Sequence, residues 1–228
     1  MKRYLFAVLF CALLGCKKNN GTNPSTPPDT MYFPPASGTS WETASIAGLG
    51  WNQSAAQSLK DFLAQKNTRS FIILVNGRIV MEEYFNGHNA TTAWEWNSAG
   101  KTLVTAVTGI AQQEGLLGIN NKASDYLGAG WTSMPLDKER LITVRNLLTM
   151  TSGNDESKQF VVRQNITYVA DAGTRWAYSN IFQKLIDVTA NVSNKPFETY
   201  FNEKLKTKIG MDGYWNFCLL YTSDAADE

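Results

Sequence analysis

Histidine is nearly absent from this chain of 228 residues, which contains one, at position 88. The sequence also lacks the Gly-x-Ser-x-Gly elbow that presents the nucleophile in many serine hydrolases with a histidine base. His88 lies in the polar segment Gly87-His88-Asn89, so we expect it to be a solvated loop residue. A serine enzyme with this sequence must therefore use another base, and lysine and tyrosine are what remain.

Cysteine is scarce as well, since the chain has three, Cys11, Cys16 and Cys218. The body contains no cysteine pair, so the sequence predicts no disulfide framework. A single histidine without a cysteine cluster argues against a zinc site of the usual kind, and we expect no metal and no other cofactor. The formal net charge is +1 and no basic block occurs, which argues against nucleic acid as a partner.

The apolar run near the start, residues 4–14, is shorter than the roughly 20 residues that a membrane-spanning helix needs. It follows the positive segment Met1-Lys2-Arg3, as in a signal peptide. Leu13-Leu14-Gly15-Cys16 resembles the bacterial lipobox, in which the cysteine becomes the lipid-modified first residue. The alternative is an ordinary secretory signal with an incidental cysteine. We expect residues 1–16 to be a lipoprotein signal and lipid on Cys16 to anchor the protein in the bacterial cell envelope, facing the periplasm or the surface.

Three further segments follow the predicted signal. Residues 17–40 contain Asn, Gly, Ser, Thr and several prolines, a composition typical of a flexible tether. Residues 41–216 form the predicted folded body. Residues 217–228 resemble translated sequencing-adapter read-through, with a genuine acidic tail as the alternative, and we expect this tail to be non-native.

Periodicity divides the body into helices and one pair of strands. The strands are expected over residues 70–75 and 78–85, joined by Asn76-Gly77, a type I′ hairpin signal. Segments with apolar residues at helical spacing predict helices over residues 51–66, 97–114, 143–149 and 177–191, and from Pro196 onward. In the first of these helices, Leu59, Phe62 and Leu63 share the face expected to be buried.

The predicted helix over residues 97–114 has few charges after its first turn. Its apolar residues recur on one face, at Leu103, Val107 and Ile110. We expect this helix to be buried nearly all round. Asn97 or Ser98 is its predicted N-cap, and Gly115 its predicted C-terminal stop.

Ser98 and Lys101 are three residues apart at the start of that helix, so they share a face. A serine hydroxyl needs a base within about 3 Å, and a lysine serves when its charged form is disfavoured, as at the positive end of a helix dipole. A Ser-x-x-Lys match arises roughly once by chance in such a chain. Gly100-Lys101-Thr102 also matches the end of a phosphate-binding loop, but Glu95 stands where that loop needs its first glycine.

A second segment with reactive side chains, Tyr178-Ser179-Asn180, lies where the chain enters the predicted helix over residues 177–191. Tyr178 offers a phenol, and Asn180 offers an amide that both donates and accepts hydrogen bonds. Taken alone, the pair reads more simply as a packing aromatic and an N-cap asparagine.

Taken in order, Ser98-Ala99-Gly100-Lys101, then Leu147-Leu148-Thr149-x-Thr151-Ser152-Gly153, then Tyr178-Ser179-Asn180 resemble the motifs of the serine β-lactamase and penicillin-binding-protein superfamily. The last two are similar to its class C branch, which includes carboxylesterases, D-aminopeptidases and 6-aminohexanoate-dimer hydrolases. The resemblance covers residues 51–215. It implies an α+β, β-lactamase/transpeptidase-like fold, with an antiparallel sheet flanked by helices and an all-helical lobe.

The resemblance also implies a mechanism. Ser98 attacks an ester or amide carbonyl to form an acyl-enzyme, and Lys101 and Tyr178 share the proton transfers. Asn180 orients the substrate, and the Ser98 backbone N–H supplies half of an oxyanion hole. The implied partner is a small ester or amide, or a cell-wall peptide; the sequence indicates no oligomeric state.

One feature of the superfamily is missing. We find no third motif of the Lys-Thr-Gly type and no strands after the helical region, so we expect the sheet to be incomplete and this chain, as given, to be inactive. A non-catalytic penicillin-binding-like sensor is the alternative function, although the presence of Ser98, Lys101 and Tyr178 argues against it. A phosphate-loop enzyme is a more distant alternative.

Overall fold

The computed structural model describes residues 29–36 and 40–211. They fall into two compact units, one up to Pro34 and over Thr39–Ala90, the other over Pro35–Gly38 and from Thr91 onward. The predicted signal with Cys16, most of the predicted tether and the predicted tail lie outside the described residues. Within the described part of the chain, no helix is both long and apolar enough to cross a membrane.

The described part of the smaller unit contains one helix and a two-stranded antiparallel sheet. Helix α1 covers Ala55–Gln65, and strands β1 and β2 cover Ser70–Val75 and Arg78–Tyr84. Asn76 and Gly77 between the strands have φ angles of 49° and 80°, both positive as a type I′ turn requires. The predicted strands and turn are therefore confirmed.

Burial alternates along β1, because successive side chains of a strand point to opposite faces of the sheet. Ile72 and Leu74 are 50% and 48% exposed, whereas their neighbours are half-buried. Phe62 in α1 was expected to be buried but is 53% exposed, since α1 buries a single stripe centred on Leu63. The hairpin thus presents an apolar face to solvent.

The larger unit is helical. Its α-helices are α2 (Lys101–Gln113), α3 (Ser124–Leu127), α4 (Leu136–Glu139), α5 (Val144–Leu148), α6 (Lys184–Ser193) and α7 (Phe197–Phe201). A π-helical turn, Asn202–Lys206, follows α7. The 3₁₀ turns are Asn97–Gly100, Arg163–Asn165 and Asn180–Gln183.

The core of this unit lies between α2, α5 and α6. Val107 of α2, Leu147 of α5 and Leu185 of α6 are fully buried. Burying one such side chain contributes about 1.5–3 kcal/mol. The carboxylate of Glu139 is also fully buried, where it accepts hydrogen bonds from the backbone N–H groups of Gly130 and Thr132 and from the Thr132 hydroxyl.

Helix α2 corrects two of the expectations. It is not buried all round: Val104, Val107, Thr108 and Ala111 form one buried stripe, and its other positions are exposed or half-buried. The stripe is narrow because α2 packs mainly on α6. The predicted N-caps are also wrong, because Asn97 and Ser98 lie inside the preceding 3₁₀ turn and no side chain caps α2.

The C-terminal end of α2 is as predicted. Gly115 has a φ of 76°, and its N–H donates to the Gln112 carbonyl at 2.9 Å. The Leu116 N–H donates to the Ala111 carbonyl at 3.0 Å, which completes a Schellman motif. Glycine suits this position because it adopts the left-handed conformation without a steric penalty.

The helix predicted over residues 177–191 begins later, as the 3₁₀ turn from Asn180 and then as α6 from Lys184. Ser179 has extended backbone angles, with φ of −148° and ψ of 139°. The Ala177 N–H donates to the Met150 carbonyl at 3.0 Å, so this backbone pairs with another loop and does not enter the helix. Periodicity cannot detect such a pairing between distant segments.

Candidate active site

Three side chains from two segments of the larger unit meet at one point. Lys101 Nζ donates to Ser98 Oγ at 2.8 Å and to the Tyr178 hydroxyl at 3.0 Å. The Tyr178 hydroxyl donates to Ser98 Oγ at 2.5 Å. The three groups therefore form a closed triangle of hydrogen bonds across 80 residues of sequence. The structure brings together all three residues predicted to be catalytic.

The 3₁₀ turn explains why Ser98 and Lys101 meet. Ser98 lies within the turn Asn97–Gly100, and Lys101 follows it as the first residue of α2. Side chains at i and i+3 eclipse each other in a 3₁₀ helix, so the hydroxyl and the amine lie side by side. Asn97 enters the turn with a φ of 44°, a left-handed conformation that asparagine tolerates better than most residues.

Tyr178 reaches Ser98 from an extended segment that pairs with the Thr-Ser-Gly loop. The Ala177 N–H donates to the Met150 carbonyl at 3.0 Å, and the Gly173 N–H donates to the Thr151 carbonyl at 2.7 Å. Met150 itself has a φ of 54°, which is unusual for a residue other than glycine or asparagine. Such strain costs about 1–3 kcal/mol and persists where the surroundings enforce it.

Gly153 ends the Thr-Ser-Gly motif at a close crossing of two backbones. Its φ is 75°, and its carbonyl accepts from the N–H groups of Val169 at 2.9 Å and Ala170 at 3.0 Å. A Cβ at this position would lie 2.0 Å from the Ala170 carbonyl oxygen, which no real contact permits. The motif therefore requires glycine for backbone packing.

Sequence reasoning missed a buried polar network beside Tyr178. Ser152, Asn154 and Ser179 are 2%, 6% and 4% exposed. Ser152 Oγ donates to Asn154 Oδ1 at 2.8 Å, and Asn154 Nδ2 donates to Ser179 Oγ at 2.8 Å. Ser152 and Ser179 both lie inside motifs of the superfamily, but Asn154 had no local signal, because its bond to Ser179, 25 residues away, is fixed only by the tertiary fold.

Asn180, the predicted substrate-binding residue, heads the 3₁₀ turn that follows Tyr178. It is half-buried, and its Nδ2 donates to the Gln159 carbonyl at 3.1 Å. The side chain makes no hydrogen bond to Ser98, Lys101 or Tyr178. Its role toward a substrate stays a prediction.

The two cations nearest in sequence to the triangle residues, Lys101 and Arg175, differ in their ion pairing. Lys101 forms no ion pair with any described carboxylate, and its ammonium lies 5.1 Å from the centre of the Tyr178 ring. Arg175, three residues before Tyr178, pairs instead with Glu156, and its guanidinium lowers the pKa of that carboxyl to about 2. Among residues 29–36 and 40–211, no cluster of His, Cys, Asp or Glu side chains has the makings of a metal site.

Comparison with solved structures identifies the fold. A Bacillus anthracis protein assigned as a 6-aminohexanoate-dimer hydrolase aligns with a TM-score of 0.62 and 17% identity, covering 82% of this chain and 55% of its own. A Bacteroides dorei DSM 17855 protein assigned as a β-lactamase aligns at 0.58 and 18%, covering 70% and 52%. An octameric penicillin-binding protein homologue from Pyrococcus abyssi aligns at 0.58 and 18%, covering 75% and 46%. The fold is β-lactamase/transpeptidase-like, with two strands of sheet among the described residues.

The family follows from the sequence profile. The profile described as Beta-lactamase matches residues 55–216, more than half of the chain. The chain therefore belongs to the Beta-lactamase family, within a superfamily of serine hydrolases and penicillin-binding proteins. A search of curated proteins found no significant match. The chain spans about half the length of the solved structures described above.

Proposed function

We propose that the protein is a serine hydrolase that cleaves ester or amide bonds through an acyl-enzyme on Ser98. The observation that carries this proposal is the pair of hydrogen bonds that Ser98 Oγ accepts, from Lys101 Nζ at 2.8 Å and from the Tyr178 hydroxyl at 2.5 Å. A nucleophilic hydroxyl needs a neighbour that can take its proton, and both candidates are in direct contact with it.

The proposed reaction has two steps. Ser98 Oγ attacks the substrate carbonyl while its proton passes to Lys101 or Tyr178, and the leaving group departs with a proton returned from the same pair. Water then attacks the acyl carbon while its proton passes to the same pair, the bond from Ser98 Oγ to the acyl carbon breaks, and Oγ takes a proton back from the pair as the acid leaves. Because Lys101 also donates to the Tyr178 hydroxyl at 3.0 Å, a proton can pass between the two groups, and we assign the role of base to the pair and not to one residue.

Two further groups contribute in this proposal. The Ser98 backbone N–H supplies half of the oxyanion hole, and Asn180 orients the substrate from its place two residues after Tyr178. The Gln159 carbonyl accepts one of the two Nδ2 hydrogens of Asn180, which leaves the Asn180 Oδ1 and the second N–H for a substrate amide.

We propose that the substrate is a small ester or amide, or a cell-wall-related peptide. This assignment is supported by the names of structural neighbours, which include a 6-aminohexanoate-dimer hydrolase and a hydrolase with promiscuous acyltransferase activity. Lipidation at Cys16 would place the site in the cell envelope, where such substrates occur. Cofactors are not required by this chemistry.

The test is covalent labelling of Ser98. A fluorophosphonate or a fluorescent penicillin is applied to an extended chain, defined as residues 17–216 joined to the C-terminal part of a homologous family member. We expect one labelled peptide, containing Ser98, and no labelling of Ser98→Ala. Ser133→Ala is the matched control, since Ser133 is an exposed serine whose hydroxyl donates to the Arg163 carbonyl.

Two results would contradict this proposal. Undiminished hydrolysis of p-nitrophenyl esters by Ser98→Ala in the extended chain would show that another group is the nucleophile. Labelling of Ser98 by penicillin without any turnover of esters or amides would instead indicate a binding or sensor module.

A further inference from the structure

Tyr178 is held in place from both sides by a single loop, residues 150–154. On its N-terminal side, the Ala177 N–H donates to the Met150 carbonyl at 3.0 Å. On its C-terminal side, Asn154 Nδ2 donates to Ser179 Oγ at 2.8 Å. The first link is made by backbone alone, whereas the second depends on one side chain.

Each of the two polar atoms of the Asn154 side chain has a hydrogen-bond partner. Its Oδ1 accepts from Ser152 Oγ at 2.8 Å, and its Nδ2 donates to Ser179 Oγ at 2.8 Å and to the Asp155 carbonyl at 3.1 Å. Asn154 is 6% exposed, so water cannot replace these partners easily. A buried network in which every member is satisfied fixes one arrangement of its elements.

The hydrogen bond from Asn154 fixes Ser179, and with it the backbone of the residues on either side. Its Oγ accepts from Asn154 Nδ2 and from the Ile181 N–H, at 3.3 Å, so it also caps the 3₁₀ turn that begins at Asn180. Tyr178 is 36% exposed and therefore lacks close packing of its own. Apart from its contacts with Ser98 and Lys101, its direction toward Ser98 is set by the flanking backbone.

We propose that Asn154 is a positioning residue that acts through Ser179 to hold the Tyr178 hydroxyl against Ser98 Oγ and Lys101 Nζ. This inference rests on the proposed function for its catalytic consequence, but the positioning itself is a structural claim. Asn154 touches none of the reacting atoms. Its effect is carried by Ser179, one peptide bond from Tyr178.

The test measures the environment of the Tyr178 ring directly. The chain is labelled with 3-fluorotyrosine, and the ¹⁹F resonance of Tyr178 is assigned by its loss in Tyr178→Phe. In Asn154→Leu, which keeps the branching of the side chain but removes its polar atoms, we expect this resonance to broaden or move toward the position of a solvated tyrosine. In the extended chain, we also expect Asn154→Leu to slow the labelling of Ser98 by a fluorophosphonate at least about tenfold, in line with the loss of a positioned proton-transfer group.

Two further variants separate positioning from stability. In Asn154→Asp, both serine hydroxyls can donate to the carboxylate, so the Tyr178 resonance should stay near its wild-type position even if the melting temperature falls. Val188→Ala removes buried apolar volume from α6 and serves as the control for stability loss alone. It should lower the melting temperature without moving the Tyr178 resonance.

If Asn154→Leu does not fold, Ser179→Ala removes the acceptor of the same bond and gives the same readout. A Tyr178 resonance unchanged in Asn154→Leu or in Ser179→Ala would overturn the proposal, as would an equal change in Val188→Ala. Failure of the proposed function would appear differently, as an extended wild-type chain that fluorophosphonate does not label at all. The ¹⁹F result would still decide the role of Asn154.

Discussion

Lys101 and Tyr178 have unequal places in the triangle around Ser98. Lys101 donates to both hydroxyls, whereas Tyr178 donates only to Ser98. Lys101→Ala and Tyr178→Phe nevertheless each remove two contacts, and each leaves the other group bonded to Ser98 Oγ. Neither side chain belongs to the core, so neither change should unfold the protein.

We expect Lys101→Ala and Tyr178→Phe each to slow acylation of Ser98 by about 10²- to 10⁴-fold, the usual contribution of general acid–base catalysis. The rate of fluorophosphonate labelling measures this effect, and circular dichroism checks the fold. Tyr168→Phe is the matched control, because Tyr168 also has a lysine over its ring, Lys138 at 5.4 Å, yet lies outside the triangle. An effect of Tyr168→Phe as large as that of Tyr178→Phe would contradict the assignment.

Ser98, Lys101 and Tyr178 were predictable because the motifs that contain them are local in sequence. Ser98 and Lys101 are separated by one turn, and Tyr178 and Asn180 form a short pattern of their own. Asn154 was not predictable, since its importance comes from Ser179, 25 residues away, and one asparagine after a glycine has no distinctive pattern. Glu139 shows the same limit, because its three hydrogen-bond donors, from Gly130 and Thr132, are visible only in the fold.

At the scale of elements, the pair Glu156–Arg175 joins the loop after Asn154 to the segment before Tyr178. The Arg175 guanidinium lowers the pKa of Glu156 from its usual value of 4.5 to about 2. A carboxyl with a depressed folded-state pKa stabilises the fold above its unfolded pKa. This contribution is lost as the pH falls from 4.5 toward 2. Both side chains are about a third exposed, so solvent screens the pair and the effect is modest.

The melting temperature of Glu156→Gln measures this contribution. We expect the variant to melt below the wild type at neutral pH, and the difference to shrink through the range from pH 4.5 to pH 2. Glu95→Gln, at an exposed position outside the helices and in no ion pair among the described residues, is the control and should melt like the wild type across this range. A difference between Glu156→Gln and wild type that is constant with pH would disprove the linkage.

The elements whose boundaries were predicted correctly are those set by neighbouring residues. Asn76-Gly77 fixes the hairpin turn, and Gly115 ends α2, in both cases through a backbone conformation that the residue itself permits. The errors occur where distant segments compete for the same groups. The helix expected from Ala177 starts later because the Ala177 N–H pairs with Met150, and Phe62 is exposed because only one stripe of α1 packs.

At the scale of the whole molecule, attachment to the membrane is a prediction about Cys16, which lies outside the described residues. If Cys16 carries lipid, the protein fractionates with membranes, and Cys16→Ser should release or mislocalise it. One acyl chain binds only marginally, so stable anchoring requires the several chains of a bacterial lipoprotein. The measurement is membrane fractionation together with the mass of the N-terminal peptide. Unchanged fractionation of Cys16→Ser and an unmodified wild-type mass would refute the prediction.

The open face of the hairpin leads to a prediction about the chain by itself. Ile72 and Leu74 are about half exposed, and a two-stranded sheet is marginally stable in water. We expect residues 17–228 to melt at a lower temperature and associate more than the extended chain. We also expect slower ester hydrolysis, by about 10²- to 10³-fold if one oxyanion donor is absent. Differential scanning calorimetry, light scattering and p-nitrophenyl ester assays compare the two. Equal melting, mass and rate would show that this reasoning is wrong.

The close backbone crossing at Gly153 affects how mutational and sequence data at this position should be interpreted. A Cβ there would meet the Ala170 carbonyl at 2.0 Å, so nearly every substitution would displace the loop that leads to Tyr178. In a mutational screen scored by activity, position 153 would be indistinguishable from a nucleophile. Its invariance among related proteins would record two main chains that pass too closely for any side chain, and not a contact with substrate.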